Sequence, residues 1–160
     1  MEKIILGADA FGLKLKDVIK EHLKKKDYEI IDVGSFENDR EIPYYEVAAT
    51  AAAKIQQGEA EKAILFCGTG MGVSIVANKF KGVYASVVES EFTGKMAKVI
   101  NNSNVLTLGG MIFSEYKAKM AVDLFLGSQH TEGFWDPKMA EFLKNALEEI
   151  KKIENNNFKP

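Results

Sequence analysis

The fold is decided by Ile64-Leu65-Phe66-Cys67-Gly68-Thr69-Gly70-Met71-Gly72-Val73-Ser74. In this stretch an apolar run leads into the only cysteine of the chain, and three glycines follow at alternate positions. The pattern predicts a buried parallel strand, a loop whose backbone can approach a ligand closely, and the start of a helix. A helix start carries unpaired N–H groups and the positive end of the macrodipole, which suit an oxyanion, a phosphate or a thiolate.

Cys67 has two interpretations at this point. A cysteine in such a field is a candidate nucleophile or general base. Cysteine is also often buried, and glycine-rich loops after strands often serve packing alone. The spacing of Gly68, Gly70 and Gly72 matches neither a Walker P-loop nor GxGxxG, so it gives only weak support to nucleotide binding. The loop can instead aim several N–H groups at a developing oxyanion, such as that of an enediolate intermediate.

The composition limits the classes of protein. The chain has 160 residues, of which 46% are apolar, and a formal net charge of −2. This predicts a single domain over 1–154, a polar tail over 155–160, and no surface for nucleic acid. One cysteine and two histidines exclude an internal disulfide and a cysteine- or histidine-rich metal cluster. Because there is no signal-peptide pattern and no run of membrane-spanning length, we expect a cytoplasmic protein that makes no membrane contact.

Strand-like and helix-like patterns alternate five times along the chain. Strands are predicted at 3–8, 28–33, 63–66, 83–88 and 105–108. The alternation predicts an α/β fold, a Rossmann-like three-layer sandwich with a five-stranded parallel sheet and a C-terminal helix. That last helix has no strand after it, which suggests packing on a partner subunit. Ligands of such sheets bind at the carboxyl ends of the strands, where Asp9, Gly34, Cys67, Glu89 and Gly109 fall.

Several polar and aromatic residues have competing interpretations. Asp9 either transfers a proton and orients a hydroxyl, or only caps the first helix. The turn 101–104, rich in asparagine, either donates amides to a substrate or is simply a turn. His130 lies in a loop, either as a ligand contact or with no role. Phe134 and Trp135 either stack on a ligand or anchor the last helix, and the anchor is the favoured interpretation.

In five stretches the chain resembles the ribose-5-phosphate isomerase B and galactose-6-phosphate isomerase family of sugar-phosphate isomerases. The stretches are GADAFG at 7–12, YEIIDVG at 28–34, IPYY at 42–45, CGTGMGVSIVANK at 67–79 and NNSNVL at 101–106. The fourth stretch is specific to this family, and we do not expect it to occur by chance in the same order along the chain as the other four. The resemblance implies a five-stranded parallel Rossmann-like sheet, in agreement with the strand pattern. It also implies interconversion of an aldose phosphate and a ketose phosphate without a metal or an organic cofactor.

The resemblance also implies the roles of individual residues. Cys67 would be the base that moves a proton between C1 and C2, and the loop Gly68–Gly72 would hold the enediolate. Asp9 and Thr69 would act with Cys67 in catalysis and orient hydroxyls of the substrate. The implied substrate-binding residues are Gly68, Gly70, Met71, Gly72, Ser74, Asn101 and Lys138. Because sites of this family lie between two subunits, a homodimer or a homotetramer is implied.

The chain departs from the family at positions that grip the substrate. Ala10 follows the first aspartate, where the family usually has a histidine. Ile100 precedes the asparagine pair, where the family has a histidine that assists ring opening. The phosphate-binding Gly-Gly-Arg-His-x-x-Arg of the family corresponds to EGFWDPK at 132–138, in which Lys138 is the only candidate cation.

Three hypotheses follow from these departures. The first, which we take as the prediction, is an aldose–ketose isomerase with a non-standard substrate, such as an open-chain tetrulose phosphate or a sugar without phosphate. The second is the cysteine-bearing subunit of a hetero-oligomeric isomerase of the galactose-6-phosphate type. The third is a non-catalytic protein that binds sugar phosphates. The presence of Cys67 argues against the third, because a pure binder needs no thiolate there.

Overall fold

A computed structural model describes residues 1–37, 39–134 and 136–158 of the chain. Strands and helices alternate along these residues, as the sequence predicts. In chain order they are β1 (Lys3–Ala8), α1 (Leu13–Lys24), β2 (Glu29–Asp32), α2 (Tyr44–Gln56), β3 (Lys62–Cys67), α3 (Met71–Ala77), β4 (Ala85–Val87), α4 (Glu91–Val99), β5 (Val105–Gly109), α5 (Glu115–Gly127) and α6 (Pro137–Asn157).

The strands form one parallel sheet in the order β2–β1–β3–β5–β4. The chain moves from β1 to one side for β2 and then crosses to the other side for β3. The switch in strand order therefore falls between β1 and β3, which is where ligands of open parallel sheets bind. Both strands end at the same edge, since β3 pairs along its length with β1 on one side and β5 on the other. The predicted five-stranded parallel sheet with a C-terminal helix is confirmed.

Helices cover both faces of the sheet, because the central strands are apolar on both sides. Alternate residues of β3 enter different cores, following the two-residue period of a strand. Ile64 and Phe66 pack in the core that holds residues of α1 and α5. Ala63 and Leu65 pack in the core on the opposite face, where α2 contributes three of its alanines, Ala48, Ala51 and Ala52. The alanine-rich helix therefore packs against the sheet.

Several strand ends differ from the sequence prediction by one or two residues, and the largest differences are at β4 and at the end of α6. β4 is shorter than predicted, because the amide of Val83 bonds the Phe80 carbonyl and that of Tyr84 bonds the Asn104 side chain instead of a neighbouring strand. α6 continues through Asn157, so the first three residues of the predicted polar tail are helical.

Helix α6 lies largely outside the two cores, and none of its described residues is fully buried. Glu154 attaches it to the segment before β4 by accepting hydrogen bonds from the Gly82 amide at 2.6 Å and the Tyr84 hydroxyl at 2.9 Å. The helix nevertheless carries exposed apolar side chains at helical spacing, namely Met139, Phe142, Ile150 and Ile153. Among the described residues there is no helix with the length and apolarity to cross a membrane.

Candidate active site

Three loops meet around Cys67 at the carboxyl edge of the sheet. They follow β1, β3 and β5, and glycines allow their backbones to touch. A Cβ on Gly12 would lie 2.6 Å from the carbonyl carbon of Phe66, and one on Gly109 would lie 2.8 Å from the Cα of Thr69. The Gly110 amide also donates to the Cys67 carbonyl oxygen at 2.8 Å. The position of the cysteine is therefore fixed by its neighbours on both sides.

Cys67 is the last residue of β3 and is 5% exposed. The backbone N–H of Gly70 donates a hydrogen bond to its sulphur at 3.1 Å. Gly70 has a φ of +81°, a left-handed conformation that side chains rarely adopt, and this turn brings the amide back to the sulphur. The Met71 amide bonds the Thr69 hydroxyl oxygen at 3.3 Å. Two amides of the loop are thus engaged within it, and fewer remain for an oxyanion than the glycine spacing suggests.

Asp9 follows β1 and is 9% exposed. Its Oδ1 accepts a hydrogen bond from the Gly12 amide at 3.0 Å. Gly12 is itself the N-cap of α1, so Asp9 fixes the turn before the helix and does not cap its first turn. Burial raises the pKa of Asp9, and the charge of Glu41 adds to the rise, while hydrogen bonds from the Gly12 and Phe11 amides oppose it. A carboxyl with a raised pKa at this edge is a candidate for proton transfer.

A small cleft of about 290 Å³ opens beside Asp9. Its lining includes Pro43 and Tyr44, and the Tyr44 ring packs so closely on α3 that a Cβ on Gly72 would lie 2.8 Å from it. The cleft therefore adjoins the Cys67 loop. Tyr44 is not among the predicted site residues, although it lies in the IPYY stretch that carries the resemblance. A larger cavity of about 710 Å³ runs along α1 and α5, and none of the predicted site residues lines it.

Asn101 does not lie at this edge. It follows α4 and precedes β5, at the amino end of the sheet. β3 and β5 stay paired from Ala63 with Val105 to Cys67 with Gly109, a length of about 13 Å at roughly 3.3 Å per residue. Within one chain Asn101 and Cys67 therefore lie at opposite edges of the sheet, and the assignment of Asn101 to substrate binding stays a prediction that requires a second copy. Lys138 is exposed at the start of α6, which also begins at the amino edge because α5 runs back to that edge.

Ser74 lies on α3 and its hydroxyl contacts the strand beside it. Its hydroxyl donates to the Ala85 carbonyl oxygen at 3.4 Å, and Asn78 bonds both the carbonyl and the amide of Ala85, at 2.9 and 2.8 Å. The second half of the CGTGMGVSIVANK stretch therefore ties α3 to β4. The assignment of Ser74 to substrate binding stays a prediction, and its hydroxyl donor is used within the fold.

A buried lysine that the sequence analysis missed supports the wall of the cleft. Lys16 is fully buried, and its Nζ donates to Asp32 Oδ1 at 3.1 Å and to the Ser35 carbonyl oxygen at 2.7 Å. Lys20 bonds the other oxygen of Asp32 at 2.8 Å. The Ser35 hydroxyl in turn accepts from the Ile42 amide at 2.9 Å, two residues before Tyr44. In the sequence Lys16 looks like an ordinary polar position of an amphipathic helix.

Two aromatic residues, Phe134 and Trp135, precede α6, and acidic, histidine and cysteine side chains are the groups that could bind a metal. Trp135, which was predicted to stack or to anchor α6, lies outside the described residues. Phe134 is partly buried. Among the residues that the structure describes, no three acidic, histidine or cysteine side chains come together in a way that could hold a metal ion.

Comparisons with known proteins agree with this architecture. The family model described as Ribose/Galactose Isomerase matches residues 4–145. The 4-deoxy-4-sulfo-D-erythrose isomerase of Clostridium sp. (strain MSTE9) is 41% identical over 157 residues, which cover 98% of each chain. The D-erythrulose-4-phosphate isomerase of Pectobacterium atrosepticum is 34% identical over 87% of this chain and 91% of that one. The structure of Clostridium thermocellum ribose-5-phosphate isomerase B matches with a TM-score of 0.86 and 32% sequence identity. The match covers 97% of this chain and 99% of that one.

Proposed function

The chain belongs to the ribose/galactose isomerase family, and from that membership we propose that it is an aldose–ketose isomerase acting on an open-chain four-carbon sugar. The substrate carries its anionic group, a sulfonate or a phosphate, on C4. Two relatives support this substrate class, because they are named for a 4-sulfo tetrose and a 4-phospho tetrulose.

The observation that carries the proposal is Ala10, next to the buried Asp9. A pentose or hexose phosphate exists in solution mainly in its cyclic form, and an isomerase must open that ring with an acid and a base. A four-carbon sugar substituted on C4 has no free 4-hydroxyl, so it cannot close a furanose ring. Such a substrate needs no ring-opening group at position 10 or at Ile100. The methyl and aliphatic side chains there agree with a substrate that is already open.

In the proposed mechanism, Cys67 is the base. Its thiolate takes the proton from C2 of the aldose, and the electron pair moves to form the enediolate with negative charge on O1. The sulphur returns the proton to C1, while O1 and O2 exchange one proton through Asp9, which leaves the ketose. The remaining amides of the loop Gly68–Gly72 and the Thr69 hydroxyl stabilise the charge on the intermediate. No redox change occurs overall, and no cofactor is required.

The chain has few candidate cationic side chains for binding the anionic group on C4 of the substrate. Arg40 is the only arginine, and it pairs with Glu46 at 3.0 Å. Lys138 is the candidate cation of the 132–138 segment. A sulfonate has a single negative charge, whereas a phosphate monoester has about −1.5 to −2 at pH 7. We therefore expect a 4-sulfo tetrose to be a better substrate than the 4-phospho tetrose.

We further propose that the active form is a homodimer or a homotetramer in the cytoplasm. The exposed apolar side chains of α6, with Phe142 at 63% exposure, support a second copy as the cover of this helix. The separation of Asn101 from Cys67 within one chain supports a site shared between copies. A cytoplasmic location suits the substrate class, since charged sugars do not cross membranes unaided.

The test is a panel of sugars incubated with the purified protein in D₂O, with deuterium incorporation and isomer ratio followed by NMR. The panel holds 4-deoxy-4-sulfo-D-erythrose, D-erythrose 4-phosphate, D-ribose 5-phosphate and D-galactose 6-phosphate. We expect at least about 100-fold higher kcat/KM for the four-carbon sugars than for the others, as each lost catalytic group costs about 10²–10⁴-fold. Equal or better turnover of ribose 5-phosphate would overturn the proposal. Activity that appears only after an arginine-bearing homologue is added would favour the hetero-oligomer instead. Absence of exchange with every sugar of the panel, together with measured binding of one of them, would favour a binder.

A further inference from the structure

Tyr44 lies between the cleft beside Asp9 and the loop that follows Cys67. It is the first residue of α2, and its side chain lines the cleft. Its ring also lies against the start of α3, where a Cβ on Gly72 would be 2.8 Å from Cε2 and 2.9 Å from Cδ2. Because Gly72 has no side chain, the ring packs directly on the backbone there. One aromatic ring therefore borders both the cleft and the Cys67 loop.

The segment that carries this ring is tied to the end of β1. The Ile42 amide donates to the Ser35 hydroxyl oxygen at 2.9 Å, and the Ser35 amide donates to the Ala8 carbonyl oxygen at 2.8 Å. The Tyr45 ring packs edge to face on that of Tyr44, with ring centroids 5.5 Å apart and an interplanar angle of 81°. A side chain that is supported in this way can determine the shape of the space beside it.

The cleft is acidic and small. Of the described residues that line it, Asp9 and Glu41 carry carboxyl groups and none is basic. An anion in the cleft would be repelled, so the anionic group on C4 of the substrate points out of the cleft and the uncharged C1 end enters it. The volume of about 290 Å³ lies just below the range of about 300–1,000 Å³ that is usual for pockets of drug-sized ligands. The cleft therefore suits the end of a short carbon chain.

We propose that Tyr44 is a specificity-determining residue, whose ring closes the cleft around the C1 end of the substrate and holds C1 and C2 next to Asp9 and Cys67. This inference rests on the proposed function for the identity of the substrate. Ala10 lines the same cleft with only a methyl group, which leaves space for a terminal carbonyl group. Tyr44 acts here by the shape of its ring, and its hydroxyl is not required.

Two substitutions separate the ring from the hydroxyl. We expect Tyr44→Phe to keep kcat/KM within about threefold of the wild type and Tyr44→Ala to lose roughly 10–100-fold, because small misplacements of a substrate cost up to about 10². Wild-type activity in Tyr44→Ala would overturn the inference. Equal losses in the two variants would overturn it in favour of a contact made by the hydroxyl.

The control is Tyr116→Ala, since Tyr116 is 74% exposed on α5 and does not line the cleft. We expect it to leave activity unchanged. Urea unfolding shows whether each variant folds. If Tyr44→Ala does not fold, Tyr44→Leu takes its place, because leucine keeps an apolar contact with Gly72 and lacks the ring.

The orientation of the substrate is tested with two open-chain aldoses, 4-deoxy-4-sulfo-D-erythrose and 4-deoxy-D-erythrose, of which only the first carries an anion. Because the ring contacts the C1 end, which both sugars share, we expect Tyr44→Ala to lower kcat/KM for the two by the same factor within about threefold. A loss confined to the sulfonate would show that the ring serves the anionic end, and would overturn the inference.

Binding without turnover gives a second criterion. D-Erythritol 4-phosphate has a hydroxymethyl group at C1 and cannot isomerise. We expect its Kd, measured by calorimetry, to rise about tenfold in Tyr44→Ala, where less apolar surface is buried on binding, and to stay unchanged in Tyr44→Phe. The same Kd in all three proteins would overturn the inference. If binding depends on Tyr44 but the wild type exchanges deuterium into no sugar, the proposed function fails and the place of Tyr44 in the cleft stands.

Discussion

The Gly70 amide lies 3.1 Å from the sulphur of Cys67 and donates a hydrogen bond to it across the turn that ends β3. A backbone donor cannot rotate away, so it fixes the position of the sulphur and is suited to a negatively charged acceptor. The turn depends on the left-handed conformation of Gly70. The conformation of Gly70 therefore determines where the sulphur of Cys67 lies. A substitution at each residue tests this relationship.

Cys67→Ala removes the proposed base without adding bulk. We expect kcat to fall by about 10²–10⁴-fold, the usual contribution of a general base, while the far-UV spectrum and the binding of erythronate 4-phosphate remain. Deuterium exchange at C2 of a substrate, followed by NMR, measures the loss directly. Wild-type exchange rates in this variant would show that another group moves the proton.

Gly70→Ala tests the turn. At a φ of +81° a Cβ would lie 2.9 Å from the Leu108 carbonyl carbon, so the substitution adds a clash to the conformational cost. Gly58→Ala is the matched control, because its φ is +74° and a Cβ there meets nothing within 4 Å. We expect both variants to lose about 1 kcal/mol or more in urea unfolding, and Gly70→Ala alone to lose most of its activity. Equal activity in the two would mean that the turn does not position the sulphur.

The sequence predicts the fold well because its apolar period and glycine turns are local signals. It predicts Asp9 and Cys67 at one edge for the same reason, since strand ends of a parallel sheet coincide. The same signals place Asn101 at the opposite edge, because the turn 101–104 precedes a parallel strand whereas Cys67 follows one. The resemblance lists residues of one site without telling which copy supplies them.

The contacts of Ser74 and Lys16 could not be predicted from the sequence for one common reason. Ser74 lies beside the Cys67 loop in sequence, but its environment depends on the position of β4, and the Ala85 carbonyl oxygen is 3.4 Å from its hydroxyl. Lys16 looks solvated in a helix with many lysines, and its burial depends on Asp32 from the next strand. Pairings between distant segments decide both cases, and the periodicity of one segment does not contain them.

Asp9→Asn separates stability from activity. The folded pKa of Asp9 is raised above its unfolded value, so the folded protein binds this proton more readily than the unfolded one. Above the folded pKa the ionised carboxyl is therefore held at a cost, and this cost disappears as the pH falls through the folded pKa. Asparagine keeps an oxygen for the Gly12 amide, which lies 3.0 Å from Oδ1.

We expect Asp9→Asn to be at least as stable as the wild type at pH 7 and to lose that advantage towards pH 4. Its kcat should fall by about 10²-fold or more if Asp9 relays the proton between O1 and O2. Urea unfolding at several pH values and steady-state kinetics provide the two measurements. A variant that is less stable at pH 7 than at pH 4, relative to the wild type, would contradict the sign of the pKa shift.

Lys16→Met removes one of the two lysines that bond the Asp32 carboxylate, so that only Lys20 remains. Removing one member of a buried ion pair typically costs about 3–5 kcal/mol, and the carbonyl of Ser35 also loses its donor at 2.7 Å. The control is Lys24→Ala, which breaks an exposed pair with Glu21 at 3.0 Å and is expected to cost under about 0.5 kcal/mol. Chemical denaturation compares the two, and similar small losses would show that Lys16 is not needed to hold the wall of the cleft.

Mixing two inactive variants tests whether the site is shared between copies. Asn101 and Cys67 lie at opposite edges of the sheet in one chain, so we expect each to serve a site with the other from a second copy. Cys67→Ala and Asn101→Ala, each of low activity alone, should regain activity after they are unfolded together and refolded, since a mixed dimer contains one site with both residues intact. Refolding each variant by itself is the control for the procedure. Mixed oligomers that form, as detected by two different tags, but remain as inactive as the separate variants would show that Asn101 does not contribute across the interface.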